Sequence, residues 1–198
     1  MVRMASVENP IQSGLPEHSR RVFNGELFEV WQWEQKLFDG SSAIFERLRR
    51  QDTATVIAVA DDKILFQEQL QPESAEPFFS LPGGRIEWEE DPLEGGKREL
   101  LEETGYVSDD WQLWRAVQSS HKIVWTMHFY IARACVKREE PHMDAGEKIT
   151  TTRISFEELI ALSDNPRFHD RELITEFLRM RLEEPRKEAF RNLLFLRR

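Results

Sequence analysis

The stretch from residue 84 to residue 106 constrains the fold of this chain most, because it reads as a loop that leads directly into one short helix. Asp91 can cap the helix with its side-chain oxygen, Pro92 suits the first turn, and Glu94 stands three residues after the cap, as in a capping box. Gly105 supplies a left-handed end to the helix. At about 100° per residue, one side of this helix carries three carboxylates, those of Glu99, Glu102 and Glu103.

These three carboxylates do not favour the stability of the helix. Like charges at i, i+3 and i+4 cost roughly 0.2–0.5 kcal/mol per pair, and helical glycines such as Gly95 and Gly96 cost about 1 kcal/mol each relative to alanine. The glycines do leave the backbone open to a loop or a ligand. Oxygen ligands of this charge suit a hard divalent cation, Mg2+ or Mn2+, rather than zinc, and such a cation implies a phosphate-bearing substrate. The alternative is a solvated acidic helix face, which is the usual meaning of a charge run.

The full context of the stretch favours the cation. It resembles the Nudix box, G-x5-E-x7-R-E-U-x-E-E-x-G-U with U apolar, and nine fixed positions at fixed spacing rarely coincide by chance. The chain matches the pattern at Gly84, Glu90, Arg98, Glu99, Leu100, Glu102, Glu103, Gly105 and Tyr106. The sequence is therefore identified as a member of the Nudix family.

This resemblance implies the fold and the reaction class. Nudix proteins share an α/β/α sandwich around a mixed β-sheet, and most hydrolyse a nucleoside diphosphate linked to another moiety, X. Within the family, residues 23–183 are most similar to the ADP-ribose and nucleoside-diphosphate-sugar pyrophosphatases. The expected protein is an α/β Nudix sandwich with an N-terminal strand extension and C-terminal helices, and its expected substrate is a small nucleotide diphosphate.

The resemblance also implies the metal ligands. Glu99 and Glu103 would bind Mg2+ or Mn2+ directly, and Glu102 would be a third ligand or an outer-sphere partner. The carbonyl of Gly83 or Gly84 would complete the site. Such a cation neutralises the diphosphate and lowers the pKa of a bound water, which then attacks phosphorus.

Further roles follow from the same resemblance. Glu90 and Arg98 would form an ion pair that ties the loop to the helix. A carboxylate in a loop beyond the box would take the proton from the attacking water, and Glu147 matches this position best, with Asp144 as the second choice. The catalytic set is then expected to be Glu102, Glu103 and Glu147.

The residues expected to contact the substrate depart from the resembling enzymes. Gln71 and Ser80 stand where an arginine and a glutamate are common, and the turn after the box reads Ser119-Ser120-His121-Lys122. Other cations would then meet the diphosphate, and aromatic rings would stack on the base. The candidates are Arg85, Arg50, Lys122, Phe28 and Trp31. Their alternatives are plain surface charge for the cations and core or interface packing for the rings.

The rest of the chain predicts one domain with extensions. Residues 1–22 read as a loose arm, followed by a single domain over 23–198 with an N-terminal strand pair over 23–50 and helices over 155–198. Further strands are expected at 28–38, 42–50, 53–60, 63–69, 78–82, 111–119 and 122–136. In the resembling enzymes the strand pair often crosses to a dimer mate, so a homodimer is expected.

Charge and cysteine content restrict the partners and the compartment. A net charge of -9 argues against a nucleic acid or an anionic membrane as partner. Cys135 is the single cysteine, and the chain has no run of 18 apolar residues, so we expect a soluble protein of the reducing cytoplasm.

Three functions remain open at this point. The first is a metal-dependent pyrophosphohydrolase for ADP-ribose or a nucleotide sugar. The second is a Nudix hydrolase of nucleoside triphosphates or dinucleotide polyphosphates. The third is a non-catalytic Nudix module that binds a nucleotide, which the complete set of box glutamates disfavours.

Overall fold

A computed structural model describes residues 14–118, 121–143, 146 and 148–195. Within this part of the chain there are thirteen strands, four α-helices and one short 3-10 helix. The strands are β1 (Arg20–Asn24), β2 (Glu29–Lys36), β3 (Ser42–Arg49), β4 (Thr53–Ala60), β5 (Lys63–Leu70), β6 (Phe78–Ser80), β7 (Gly83–Arg85), β8 (Tyr106–Val107), β9 (Asp110–Val117), β10 (Ile123–Val124), β11 (Met127–Arg133), β12 (Val136–Lys137) and β13 (Lys148–Ile154). The helices are α1 (Pro92–Thr104), α2 (Phe156–Ala161), the 3-10 helix (Leu162–Asp164), α3 (Arg171–Leu182) and α4 (Glu184–Phe195).

The central sheet has mixed direction. Its strands follow the order β13-β5-β4-β11-β9, with β6 paired to β5 and β7 paired to β4. Strands β4 and β11 run parallel, whereas β11 with β9, β5 with β4 and β13 with β5 are antiparallel. The predicted mixed sheet is confirmed.

Helices cover both faces of this sheet because side chains alternate along β4. Val56 packs with Leu100 of α1, while its neighbour Ile57 packs on the other face with Phe177 of α3. That second face forms the larger core, to which α2 and α4 also contribute. The α/β/α sandwich expected from the family resemblance is therefore confirmed.

A second, smaller sheet has the order β1-β2-β3-β10. The sequence predicted one strand over 122–136, but the structure breaks it between β10 and β11. Val124 pairs with Arg49 in the small sheet, and Met127 pairs with Thr53 in the central sheet, so the chain changes sheets at this point. The Thr126 amide donates to the Asp52 carboxylate over 2.7 Å, which satisfies the backbone at the break.

Two further sequence predictions differ from the structure. The loose arm predicted for residues 1–22 overlaps β1, which is exposed but hydrogen-bonded to β2; residues 1–13 lie outside the described part of the chain. Strand β13 was not predicted, although its residues 148–154 include several β-branched side chains. The helices predicted over 155–198 are present up to Phe195, where the description ends. Within the described residues, no helix has the length and apolar character needed to cross a membrane.

Asp170 connects α3 to the strand segment that precedes the box. Its carboxylate accepts a hydrogen bond from the Leu81 amide over 2.9 Å. Burial raises the pKa of the Asp170 carboxyl to about 7, against the effect of this hydrogen bond. A pKa above that of the unfolded chain means that folding favours the protonated form. This contribution to stability is complete below the unfolded pKa and is lost as the pH rises through about 7.

Asp170→Asn should therefore make stability less dependent on pH. The asparagine can still accept from the Leu81 amide without placing a charge in the enclosed site. We expect the variant to gain on the order of 2 kcal/mol relative to wild type between pH 5 and pH 8. Urea unfolding at both pH values measures the gain, with Asp109→Asn at an exposed position as control. Parallel pH profiles for wild type and Asp170→Asn would contradict the prediction.

Candidate functional site

Helix α1 is fixed at both ends, as the sequence predicted. The Asp91 side chain accepts from the backbone amides of Leu93, over 2.9 Å, and Glu94, over 3.3 Å. Gly105 adopts a left-handed conformation with φ of 74°, and its amide donates to the Leu101 carbonyl. The Glu94 side chain bonds Lys97 over 2.7 Å, so the capping box predicted there gives way to an exposed ion pair. The caps fix the ends of α1 and so the positions of its glutamates, of which Glu103 faces β5.

The backbone of β7 lies close to α1 and to the neighbouring strand β4. Gly83 has a φ of 149°, and a Cβ atom there would lie 2.1 Å from the Ala54 carbonyl oxygen of β4. At Gly84 a Cβ atom would lie 2.5 Å from Oε2 of Glu99. Only residues without a side chain leave room for this approach, which puts the Glu99 carboxylate directly against the β7 backbone.

Glu103 is the most enclosed of the three glutamates, with 7% of its surface exposed. Its Oε2 accepts two hydrogen bonds, from the Gln67 side-chain amide over 3.0 Å and from the Gly83 backbone amide over 2.8 Å. Both donors reach the same oxygen atom. The central sheet and β7 therefore fix this carboxylate from two directions.

Arg98 joins the remaining acidic groups of the box. Its guanidinium makes two hydrogen bonds of 3.1 Å with Glu90, and its Nη1 reaches Glu99 over 2.9 Å and Glu102 over 3.0 Å. Nη2 also donates to the Arg85 carbonyl over 2.8 Å. The hydrogen bonds to Glu90 raise the pKa of Arg98, and the same pairing holds the pKa of the Glu90 carboxyl below its usual range. Arg98 thereby offsets part of the repulsion among the carboxylates and ties the loop to the helix.

The donor chemistry of the box fits a hard divalent cation. Glu99, Glu102 and Glu103 offer only oxygen ligands, and the space that a Cβ of Gly84 would fill is taken by a carboxylate. Within the described residues the acidic side chains do not converge as a ready metal-binding group, because Glu99 and Glu102 turn to Arg98 and Glu103 turns to Gln67. Members of the family generally use divalent metals. A cation bound here would replace contacts that Arg98 makes with the glutamates.

A second group of side chains, the Arg50 cluster, consists of Arg50, Trp125 and Phe28. The Arg50 guanidinium lies 4.5 Å from the ring centroid of Trp125 and 5.9 Å from that of Phe28. Its Nε is buried and has no hydrogen-bond partner in the described part of the chain. Burial, and then the charge of Arg85, lower the pKa of Arg50, while Asp52 acts in the opposite direction. Desolvated positive charge with an unsatisfied donor suits an anionic ligand.

Two predicted substrate residues have other contacts. The indole N–H of Trp31 donates to Glu29 over 2.8 Å. The Lys122 ammonium lies 5.9 Å from the ring of Phe45, at a surface groove of the small sheet. The structure thus brings Arg50, Phe28 and Arg85 together and leaves Trp31 and Lys122 elsewhere. Glu147 and Asp144, predicted as the base and its alternative, lie outside the described residues, as do Ser119 and Ser120.

The sequence analysis missed several residues around the site. Gln67, Gln69 and Ser80 are buried together beside Glu103, and Trp125 covers Arg50. A signal for the two glutamines was available, because polar residues at i and i+2 lie on one face of a strand, but no such signal marked Ser80. No sequence signal pairs Trp125 with Arg50, since the two residues lie in different connections between strands and are far apart in the sequence.

Comparison with known families gives one match that spans most of the chain. The family model described as NUDIX domain matches residues 49–177. This segment begins at the end of β3, includes all of α1 and ends inside α3.

The individual relatives share about a quarter of their aligned residues with this chain or fewer. Over 175 residues the chain is 25% identical to the "Methanol dehydrogenase activator" of Bacillus methanolicus, covering 85% of this chain and 93% of that protein. Over 153 residues it is 24% identical to the "ADP-ribose pyrophosphatase" of Bacillus subtilis (strain 168), covering 76% and 83%. A solved structure, "Crystal structure of ADP compounds hydrolase", superposes with a TM-score of 0.68 at 18% identity, covering 84% of this chain and 91% of that one. The last match shows the shared fold.

Proposed function

Because this chain belongs to the NUDIX domain family and is a pyrophosphohydrolase of that family, we propose that it hydrolyses the diphosphate bond of a nucleoside diphosphate that is linked to another moiety, X. The proposed substrate is ADP-ribose or a nucleotide sugar. One observation carries the proposal. The carboxylates of Glu99 and Glu103 lie against the β7 backbone, and Arg50, whose Nε has no hydrogen-bond partner in the described residues, is within electrostatic range of Arg85 at the end of the same strand. A metal-binding acidic surface beside a cationic, aromatic one suits a diphosphate that carries a nucleoside.

Each box residue has a role in this proposal. Glu99 and Glu103, with Glu102 as third ligand or outer-sphere partner and a carbonyl of Gly83 or Gly84, would hold Mg2+ or Mn2+. When bound, the cation neutralises the diphosphate and lowers the pKa of a coordinated water. Glu103 is kept in place by its two amide donors.

The proton from the attacking water needs an acceptor near the box. We assign this role to Glu147, with Asp144 as the alternative, on the resemblance to ADP-ribose pyrophosphatases. Glu90 and Arg98 keep the loop docked on α1 and so hold the ligands close together.

The Arg50 cluster would bind the substrate rather than act on it. The guanidinium offers charge to a phosphate, and the rings of Trp125 and Phe28 offer apolar surface to a base. Arg85 follows Gly84 directly and is a second cation within electrostatic range of Arg50. Trp31 and Lys122 were also predicted as substrate contacts. Both lie at the small sheet, so they would contact only a part of the substrate that reaches this sheet.

Arg50→Met should weaken substrate binding more than the chemical step. Loss of the charge removes a contact that the bound diphosphate makes before and during the reaction, so KM should rise about 10-fold or more, with kcat changed less. Steady-state kinetics on the preferred substrate measures both constants. Arg20→Met, an exposed arginine of β1, is the control. A fall in kcat alone at unchanged KM would argue against a binding role.

The homodimer and the cytoplasmic location are part of the same proposal. The small sheet and the turn between β2 and β3 expose large apolar side chains, among them Phe23, Phe38 and Ile44, and a second copy of the chain would cover them. Sedimentation velocity measures the oligomeric state. Cys135 is free and buried, which suits a reducing compartment.

Incubation of the purified protein with Mg2+ and a substrate panel tests the function. The panel contains ADP-ribose, nucleotide sugars, dinucleotide polyphosphates and nucleoside triphosphates, and the products are identified by mass. AMP and ribose 5-phosphate from ADP-ribose support the proposal. Pyrophosphate from triphosphates would favour the alternative hydrolase, and tight nucleotide binding without turnover would favour the non-catalytic module.

A further inference from the structure

We propose that Gln67, Gln69 and Ser80 form a positioning network that fixes the Glu103 carboxylate for a divalent cation. The inference rests on the proposed function, because it concerns the same acidic site. The network adds to the site three residues that lie outside the box.

The network is built on one face of the sheet. Gln67 of β5 is the register partner of Ser80 in β6, and Gln69 lies two residues further along β5, so all three side chains point toward α1. They are among the most buried polar groups of the protein, with exposures of 0% for Gln67 and 6% each for Gln69 and Ser80. Burying this much polar surface is costly unless every group has a partner.

The hydrogen bonds within the network have a consistent direction. The Gln69 amide nitrogen donates to the Gln67 side-chain oxygen and to the Ser80 hydroxyl, both over 2.8 Å. The Ser80 hydroxyl in turn donates to the same Gln67 oxygen over 3.3 Å. With its oxygen held by two donors, the Gln67 side chain can only present its NH2 group to Glu103, which it reaches over 3.0 Å.

This arrangement of hydrogen-bond donors determines the orientation of the Glu103 carboxylate. One carboxylate oxygen accepts from Gln67 and from the Gly83 amide, which locks the carboxylate plane relative to the β7 backbone. A reversed Gln67 amide would place its oxygen against the carboxylate, and Gln69 and Ser80 prevent that reversal. Residues that orient a metal ligand in this way commonly change metal affinity by about 10–100-fold when removed.

Cation binding to the free enzyme tests the network. Mn2+ titration followed by electron paramagnetic resonance, without substrate, gives the Kd for wild type, Gln67→Met, Gln69→Met and Ser80→Ala. Thermal unfolding without metal reports on the fold. We expect the Kd of Gln67→Met to rise about 10–100-fold, and that of the other two variants several-fold. Gln112→Met removes a similar amide on β9, bonded to Arg133, and should leave the Kd unchanged.

A double variant separates positioning from a general packing defect. Because Ser80 acts through Gln67, adding Ser80→Ala to Gln67→Met should not raise the Kd further. Additive effects in the double variant, or a Kd for folded Gln67→Met within twofold of wild type, would overturn the network. If Gln67→Met does not fold, wild-type affinity in both Gln69→Met and Ser80→Ala would overturn it instead. Absence of saturable Mn2+ binding to wild type would overturn the proposed function itself, and the network with it.

Discussion

Glu103→Gln should fold normally and lose about 10³-fold or more of its divalent-cation-dependent kcat/KM. The fold should survive because the hydrogen bonds from the Gln67 side chain and the Gly83 amide end on the same oxygen, which the glutamine carbonyl can replace. The second carboxylate oxygen becomes an NH2 group, which carries no charge and cannot ligate a cation. A 10³-fold loss corresponds to about 4 kcal/mol of transition-state stabilisation, the scale expected for loss of metal assistance.

The measurement is hydrolysis of the preferred diphosphate over a range of Mg2+ concentrations, with thermal unfolding as the check on the fold. Glu94→Gln is the matched control, since Glu94 belongs to the same helix but forms an exposed ion pair with Lys97. Turnover of Glu103→Gln close to that of wild type would exclude Glu103 as a metal ligand. An equal loss in Glu94→Gln would indicate that the charge of the helix, rather than the site, sets the rate.

Gly83→Ala should destabilise the protein by about 3 kcal/mol or more. The added methyl group would lie 2.1 Å from the Ala54 carbonyl oxygen and 2.9 Å from the Thr55 Cα, and both are backbone atoms of the central strand β4. Neither can move without displacing the pairing of β4 with β7, and the φ of 149° at Gly83 adds strain for any L residue.

Urea unfolding measures the loss, and the turn between β2 and β3 provides the control. Gly40 also has a positive φ, 84°, but no atom lies within 4 Å of its missing Cβ. Gly40→Ala therefore isolates the conformational cost, about 1 kcal/mol. If the two substitutions had the same effect, close approach of β7 to β4 would not be the reason for glycine at position 83.

The sequence predicted those parts of the molecule that depend on local chemistry. Helix α1 was predicted from a cap, a proline and a terminal glycine, and strands β4 and β5 were predicted from two strand-forming runs. The family resemblance supplied the layers of the fold and the residues of the box. Each of these signals lies within a short window of sequence.

The features that the sequence analysis missed depend on contacts between distant segments. The break before β11 exists because Val124 and Met127 pair with different sheets. The packing of Trp125 on Arg50 joins residues 75 positions apart in the chain. In the sequence, Ser80 was noted only because a glutamate is common at its position. In the structure, its hydroxyl belongs to a buried series of hydrogen bonds that ends at Glu103. Local patterns cannot show which polar residues meet.

The change of sheets after β10 has a measurable consequence. The two sheets are linked by two short connections that run side by side, residues 50–52 and 125–126, because β3 and β10 are parallel neighbours, as are β4 and β11. These two connections tie the small sheet to the central sheet at adjacent points, and the Thr126 amide and the Asp52 carboxylate are hydrogen-bonded between them. Arg50 and Trp125 stack on each other within these connections, one in each. A ligand that contacts Arg50 would therefore change the surroundings of the Trp125 indole, and we expect tryptophan fluorescence, compared with that of a Trp125→Phe variant, to report its binding.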